Sequence, residues 1–408
     1  MKILFITDNF PPEVNAPATR GFDHAVEWIK MGYSVTVITC HPNFPKGKIF
    51  EGYKNSLYSL EYIEGIRVIR VWSYVNANEG FIKRSLDYFS FAVSSFAAGL
   101  FIKTDVILAT SPQFFTAFSG KTLSFFKRKP WILEVRDLWP DSIVAVGSLS
   151  SASKIYRILK KFESYFYKTA HRVVVVTDSF KKYLVEDQKI KEEKIGIFKN
   201  GVIESSIFKY DNNDINALKE SLGIDSGLRI VSYIGTHGLA HGLEFIIYSA
   251  KKLENSKIHF LFIGDGACKR ELIELKNKLD LSNITFIDTI PKSDVNRYIQ
   301  LSDYSLVNLK KSDEFKNVIP SKIFENVAAH KPILLGVEGE SKKIIEDYRV
   351  GICYEPENET EFLKALAIIS SLPGSDEFEL GCKRLIIDFD RRKIAQEMGH
   401  FIKNSIQV

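Results

Sequence analysis

The sequence predicts two doubly wound α/β domains in tandem, on three observations. Short β-rich apolar runs alternate with longer helical patterns along all 408 residues. Apolar runs separated by helices signal a mostly parallel sheet covered on both faces. The alternation then restarts after the turn signal Lys199-Asn200-Gly201, and the second half is about as long as the first. The length is enough for two cores, and a content of 45 % apolar and 26 % charged residues is ordinary for a globular chain.

In order, the first half reads as KILFIT (2–7), a helix from about Ala18, SVTVIT (34–39), RVIRVW (67–72), a long helix over 81–103 and VILAT (106–110). A helix over 113–127, WILEV (131–135), a helix over 152–168 and RVVVVT (172–177) complete it. The second half reads as RIVSYIG from Arg229, a helix over 242–254, KIHFLFIG (257–264), a helix over 267–280 and NITFID (283–288). A helix over 293–301, YSLVNL (304–309), a helix over 320–330, PILLGV (332–337), GICYEP (351–356) and terminal helices follow. Two such domains are expected to turn their strand C-termini toward a shared cleft, where open α/β sheets bind ligands.

Several classes are disfavoured. The net charge of +5 is mild and lacks the basic stripe of a nucleic-acid binder. Cys40, Cys268, Cys353 and Cys382 form no CxxC or Cys/His cluster, which argues for free thiols in a reducing compartment. The chain opens on a strand, so no secretory leader is expected. The uncharged segment Tyr88–Ile102 has 15 residues, too few to cross a bilayer, and its Ser and Gly suit a buried helix; docking on a membrane is the alternative. The acidic DNND (211–214) lies in a connection without convergent ligands, so no metal is expected there.

Chemistry should then reside in loops after strands. The most informative is Asn317–Glu325, where a polar loop leads into a helix beginning close to Pro320. Proline suits a first helical turn, and free N–H groups at a helix start stabilise phosphate. Lys322 adds a cation, and Glu325 can accept hydrogen bonds from vicinal hydroxyls. The alternative is a surface helix with a solvated Lys and Glu. In Gly235–Gly242 (GTHGLAHG) the glycines allow close approach to a ligand, and His237 and His241 can donate to a phosphate or simply be polar loop residues. Gly264-Asp265-Gly266 suits a tight turn beside a ligand, and backbone near Ile290 can meet a base. In the first half, the Pro- and Asn-rich stretch after KILFIT and the charged cluster Glu134, Arg136, Asp137 before Trp139-Pro140 suit substrate contacts. A structural Arg–Asp pair is the alternative for the second.

Taken in order, these loops resemble those of the GT-B fold retaining glycosyltransferases of family 4, over nearly the whole chain. The likeness is carried by Asn200-Gly201-Val202, Tyr233-Ile234-Gly235, Phe262-Ile263-Gly264-Asp265-Gly266 and Glu325-Asn326-Val327-Ala328-Ala329-His330-Lys331-Pro332. Arg136-Asp137-Leu138-Trp139-Pro140 and Pro320-Ser321-Lys322 are similar to the WbuB-type subgroup of surface-polysaccharide enzymes, described as L-fucosamine transferases. The resemblance implies an acceptor-binding domain over 1–200, a donor-binding domain over 201–387, and a C-terminal helix at about 388–408 packing back on the first. It implies transfer of a sugar such as N-acetylfucosamine from a UDP-sugar to a saccharide on undecaprenyl diphosphate, in O-antigen or capsule synthesis. The expected place is the cytoplasm, or the inner face of its membrane through the basic aromatic stretches 154–168 and 125–131; solvated lysines on a packed helix are the alternative. No metal or other cofactor is expected, and no nucleic acid.

Family roles carry over residue by residue. The second of the family's two glutamates matches Glu325, implied to hold the donor ribose; the first falls at Asn317, which keeps a hydrogen bond but no charge. The family's diphosphate Arg and Lys fall at Thr236 and His241. Lys322, His237, His241 and the helix start at Ile319 and Ser321 are expected to share that work. Asp137 stands in for the family's histidine near the sugar, and Asn15-Ala16, before Pro17, for a Gly-Gly turn. The catalytic candidates are thus Asp137, Asn317 and Lys322, with Asn15, Ala16, Pro17, Arg136 and Asp137 on the acceptor. A nucleotide-sugar 2-epimerase of the same fold and a non-catalytic nucleotide-sugar scaffold are the rival readings.

Overall fold

A computed structural model of the chain describes residues 1–44, 47–75, 81–111, 114–145, 147 and 149–406. It divides into two compact units, Met1–Asn200 with Arg391–Val408, and Gly201–Asp390.

The first unit runs β1 (Lys2–Ile6), α1 (Ala16–Lys30), β2 (Ser34–Cys40), β3 (Tyr58–Ile63), β4 (Ile66–Val71), α2 (Phe81–Gly99) and β5 (Val106–Thr110). It continues with α3 (Thr116–Lys127), β6 (Trp131–Val135), α4 (Asp141–Ala145), α5 (Lys154–Thr169), β7 (Arg172–Val175), α6 (Asp178–Glu186) and β8 (Ile195–Ile197). The strands form one sheet in the order β3-β4-β2-β1-β5-β6-β7-β8, parallel except for the β3–β4 hairpin. From β1 the chain first builds one side of the sheet and then, from β5, the other. The switch point between β1 and β5 therefore collects the loops after β1, β5 and β6.

The sequence pattern missed β3 and β8 for physical reasons. YSLEYI alternates exposed and half-buried residues on a sheet edge, so it shows no apolar run. Strand β8 has three residues, one of them Gly196. The predicted helix start at 113 lies outside the described residues. On one face of the sheet, α1 packs with the last helix (Arg391–Asn404): the Trp28 indole donates to the Ala395 carbonyl at 2.8 Å, and Arg391 pairs with Asp23 at 2.5 Å. A Cβ on Gly399 would stand 2.9 Å from Trp28, so glycine there lets the two helices approach.

Helix α2 corrects an expectation. It does not sink wholly into the core. Phe91, Ala92 and Ser95 are buried, but Phe89 and Val93 are more than half exposed, and Phe101 just beyond the helix is 90 % exposed. No helix among the described residues is long and apolar enough to cross a membrane.

The second unit runs α7 (Asn212–Ser221), β9 (Arg229–Ile234), α8 (Leu243–Lys251), β10 (Ile258–Ile263), α9 (Lys269–Lys278), β11 (Ile284–Ile287), α10 (Lys292–Leu301) and β12 (Tyr304–Asn308). Then come α11 (Lys322–Ala328), β13 (Ile333–Gly336), α12 (Glu340–Tyr348), β14 (Gly351–Cys353), α13 (Glu359–Ile369) and α14 (Asp376–Asp388). Six parallel strands lie in the order β11-β10-β9-β12-β13-β14. Their switch point is between β9 and β12, so the loops 235–242 and 309–321 flank it. The DNND tract is a helix start: Asp211 caps α7 by accepting from the Asp214 N–H at 2.8 Å.

Candidate functional site

The glycine loop of the second unit is held from three sides. The Gly235 N–H donates to the Ile263 carbonyl at 2.8 Å, and the His237 N–H to the Asp265 carbonyl at 2.9 Å. The Tyr233 hydroxyl donates to the Thr236 carbonyl at 2.8 Å. The Asn308 amide donates to the His241 carbonyl at 2.7 Å and itself accepts from the buried Tyr354 hydroxyl. Gly264 has φ +137°, and a Cβ there would lie 2.0 Å from the Gly235 carbonyl oxygen. Only glycine lets the ends of β9 and β10 come this close.

Lys269 completes this floor and was not anticipated. Its ammonium, nearly buried, bonds the Gly264 carbonyl at 2.8 Å, the Ile287 carbonyl at 3.1 Å and Asp288 at 2.6 Å. It pins the ends of β10 and β11, next to half-buried Ile290. In the sequence it is one more lysine in a charged helix start, so nothing marks it.

The Asn317–Glu325 segment differs from its expected shape. Glu314–Asn317 is a 3-10 turn, and regular helix begins at Lys322 rather than near Pro320. The Ile323 and Phe324 N–H groups are taken by the Pro320 and Ser321 carbonyls at 3.2 Å. Among the described residues, the N–H groups of Ser321 and Lys322 remain unpaired, and the Ser321 side chain does not cap the helix. Ile319 is buried, whereas Asn317, Ser321 and Glu325 are half-buried.

Lys322 is the focus of the loop. Its Nζ lies 3.6 Å from the Tyr233 ring centroid, and a Cβ on Gly235 would stand 2.7 Å from it. No carboxylate among the described residues pairs with it. Burial pulls its pKa down to about 7, against the pull of Glu325. A half-buried ammonium lying on an aromatic face and lacking an ion pair is poised for an incoming anion.

Burial disfavours a positive charge on either histidine of the loop. His237 is fully buried beneath the loop among Tyr233, Phe262 and Phe286, with ring centroids 5.8–6.4 Å apart and both ring nitrogens without a partner among the described residues. Burial, Lys269 and Lys322 lower its pKa to about 4; burial and Lys322 lower that of His241 to about 3. These shifts favour the neutral rings at pH 7, first through burial and then through the neighbouring ammonium groups. Thr236 is exposed at the loop's rim.

In the first unit, Asn15 caps α1 by accepting from the Ala18 N–H at 2.9 Å and donates to Asn9 at 2.5 Å. It is thus a structural cap, flanked by exposed Ala16 and half-buried Pro17. Glu134 forms a buried ion pair with Arg20 at 3.0 Å, and Arg136 and Asp137 form none with each other. Asp137 is half-buried at the end of β6; burial pushes its carboxyl up. It lines a cavity of about 30 Å³ with Trp139, Phe114 and Glu163. Burial raises the Glu163 carboxyl to about 7, although Lys160 pairs with it at 2.5 Å. Among the described residues, no group of three or more His, Cys, Asp or Glu side chains could hold a metal.

Comparison with known proteins decides the family. A model described as Glycosyltransferase Family 4 matches residues 20–205, and one described as Glycosyl transferases group 1 matches 214–378. The chain belongs to the GT-B glycosyltransferases. It is 26 % identical over 88 % of its length, and 89 % of the other chain, to the colanic acid biosynthesis glycosyl transferase WcaI of Escherichia coli (strain K12). In fold it is similar to sucrose-phosphate synthase from Thermosynechococcus elongatus, with a TM-score of 0.79 and 15 % identity over 99 % and 98 % of the two chains. It is likewise similar to Anabaena HepE in complex with UDP-glucose, with a TM-score of 0.72 and 14 % identity over 99 % and 100 %. This GT-B transferase therefore carries its glycine loop and its Lys322–Glu325 turn on two loops flanking one switch point.

Proposed function

We propose that this enzyme makes bacterial surface polysaccharide by retaining transfer of a sugar from a nucleoside diphosphate donor, held by the second unit, to a saccharide held by the first. The unpaired Lys322 ammonium beside the glycine loop carries the donor assignment. Lys322 and the free N–H groups of Ser321 and Lys322 take the diphosphate, which needs no metal for this, and Glu325 accepts from the ribose hydroxyls. The backbone at Gly264–Gly266 and Ile290 meets the base, and Asn317 a sugar hydroxyl. The bond from the anomeric carbon to the diphosphate oxygen breaks, and the acceptor oxygen bonds that carbon from the same face. The acceptor proton passes to the departing phosphate oxygen, while Asp137 orients the acceptor hydroxyl. Preorganised charge at the diphosphate is the main contribution of the protein.

We assign UDP as the nucleotide, N-acetylfucosamine or a similar deoxyhexose as the sugar, and a saccharide on undecaprenyl diphosphate as the acceptor. Support comes from HepE, whose complex contains UDP-glucose, and from WcaI, whose name places it in colanic acid synthesis. Thermal denaturation with UDP, GDP, ADP and their sugars tests the donor: UDP compounds raise the melting temperature, since a ligand that binds only the native state stabilises it. No shift with any nucleotide would remove the donor assignment.

A lipid-borne acceptor agrees with peripheral attachment to an anionic membrane. Exposed Phe101, Phe125 and Phe126 neighbour exposed Lys103, Arg128 and Lys129 in the chain, and Phe89 is exposed further along α2. Lys127 donates to the Leu100 and Ile102 carbonyls and joins the ends of α2 and α3. The chain should sediment with phosphatidylglycerol vesicles, and the double variant F101D/F125D should not. Equal sedimentation of both would exclude this surface.

A further inference from the structure

Three strand ends in the first unit, those of β1, β5 and β6, converge on Arg136. Its backbone N–H donates to the Ser111 hydroxyl at 2.8 Å, so the residue is fixed across the β5 and β6 ends. Its Nε has essentially no accessible surface and no partner among the described residues. No carboxylate among the described residues lies within ion-pair distance of its guanidinium. Glu134 is committed to Arg20 at 3.0 Å. The neighbouring buried guanidinium of Arg20 is instead fully engaged: it also bonds the carbonyls of Lys199 at 2.9 Å and Phe198 at 2.8 Å. Arg391 is paired with Asp23 at 2.5 Å.

Arg136 is half-buried, and its Nε–H has lost water without gaining a partner, which costs stability unless a ligand supplies what is missing. Glu134 and Asp8 act on it only at longer range. Its setting holds charges of both signs: Arg20 and Arg391 lie near, each paired with a carboxylate, and Asp8, Glu134 and Asp137 act on Arg136 without bonding it. A planar guanidinium of this kind recognises carboxylate or phosphate oxygens in pairs.

We propose that Arg136 is the receptor for an anionic group on the acceptor, a phosphate of its carrier or a carboxylate of its glycan, so that the first unit selects acidic acceptors. This rests on the acceptor assignment made above, but the anion site can be tested without turnover. The experiment uses the full chain with Lys322→Met, which removes the donor-side cation, and titrates inorganic phosphate, pyrophosphate and glucuronate while the melting temperature is read. At least one anion should raise the melting temperature in a saturable way, and adding Arg136→Met should abolish that shift. Phosphate or pyrophosphate acting alone identifies a carrier phosphate; glucuronate acting alone identifies a uronic acid.

The free protein gives a second readout. Because Arg136 acts on Glu134 only at longer range, Arg136→Met should lower the melting temperature far less than Arg20→Met, which breaks the Glu134 ion pair and two carbonyl bonds; an equal loss would mark Arg136 as a structural arginine and overturn the proposal. Arg136→Gln repeats the test should the methionine variant fail to fold. Absence of any anion shift in Lys322→Met, or a shift that survives loss of Arg136, would overturn the proposal. A UDP shift that persists in Arg136→Met would show that the donor assignment stands whatever the outcome here.

Discussion

Lys322→Met lowers kcat/KM for sugar transfer by about 10²–10³-fold, the effect seen when one preorganised group facing transition-state charge is lost. The expectation follows from the geometry of one ammonium. It rests on the Tyr233 face, it has no ion pair among the described residues, and burial favours the neutral rings of the neighbouring histidines. The glycine loop itself, residues 235–242, carries no lysine or arginine. Steady-state kinetics with a UDP-sugar measure it, and normal kcat and donor KM would end the assignment. The same lysine makes donor binding depend on pH. Its free-state pKa is about 7, and a bound diphosphate raises it. Below pH 7 the lysine is charged before and after binding, so affinity is full. Above pH 7 binding must take up a proton, and affinity falls by about tenfold per pH unit until the bound-state pKa is reached. In Lys322→Met this slope disappears.

What the sequence disclosed and what it hid differ in kind. Continuous apolar runs such as VILAT and RVVVV are local signals, and the parallel strands they form stand where the pattern put them. The glycines of the site were legible too, because a glycine after a strand marks a turn, and Gly264 takes a φ of +137° that favours glycine. Hidden were features set by tertiary contact. Whether His237 faces solvent or sinks among three aromatic rings depends on Phe262 and Phe286, which arrive from other strands. Whether Glu134 pairs with Arg136 two residues away or with Arg20, 114 residues away, cannot be read from spacing. The start of α11 was misplaced because Pro320 and Ser321 close tighter i→i+3 bonds, which a helical pattern does not distinguish from α-helical ones.

The Arg20–Glu134 pair carries the largest expected effect on stability. Both side chains are under 5 % exposed. Burial pushes the Glu134 carboxyl up, and Arg20 and Arg136 more than reverse this, holding it below its ordinary value. Arg20→Met leaves that carboxylate buried beside an arginine it does not touch, and breaks the bonds that tie the Phe198 and Lys199 carbonyls to α1. Removing one partner of a buried pair costs about 3–5 kcal/mol, and urea denaturation at pH 7 should register a loss of that size. The sign of the pH effect separates a charge defect from a packing defect. In wild type, the depressed Glu134 pKa contributes stability above the unfolded carboxylate range, and this is lost as pH falls through the folded pKa. In Arg20→Met the folded pKa rises instead, so Glu134 takes up its proton more easily than in the unfolded chain. The deficit relative to wild type should then narrow on acidification toward about pH 4. A deficit that is the same at both pH values would mean that lost packing, not the stranded carboxylate, accounts for the instability.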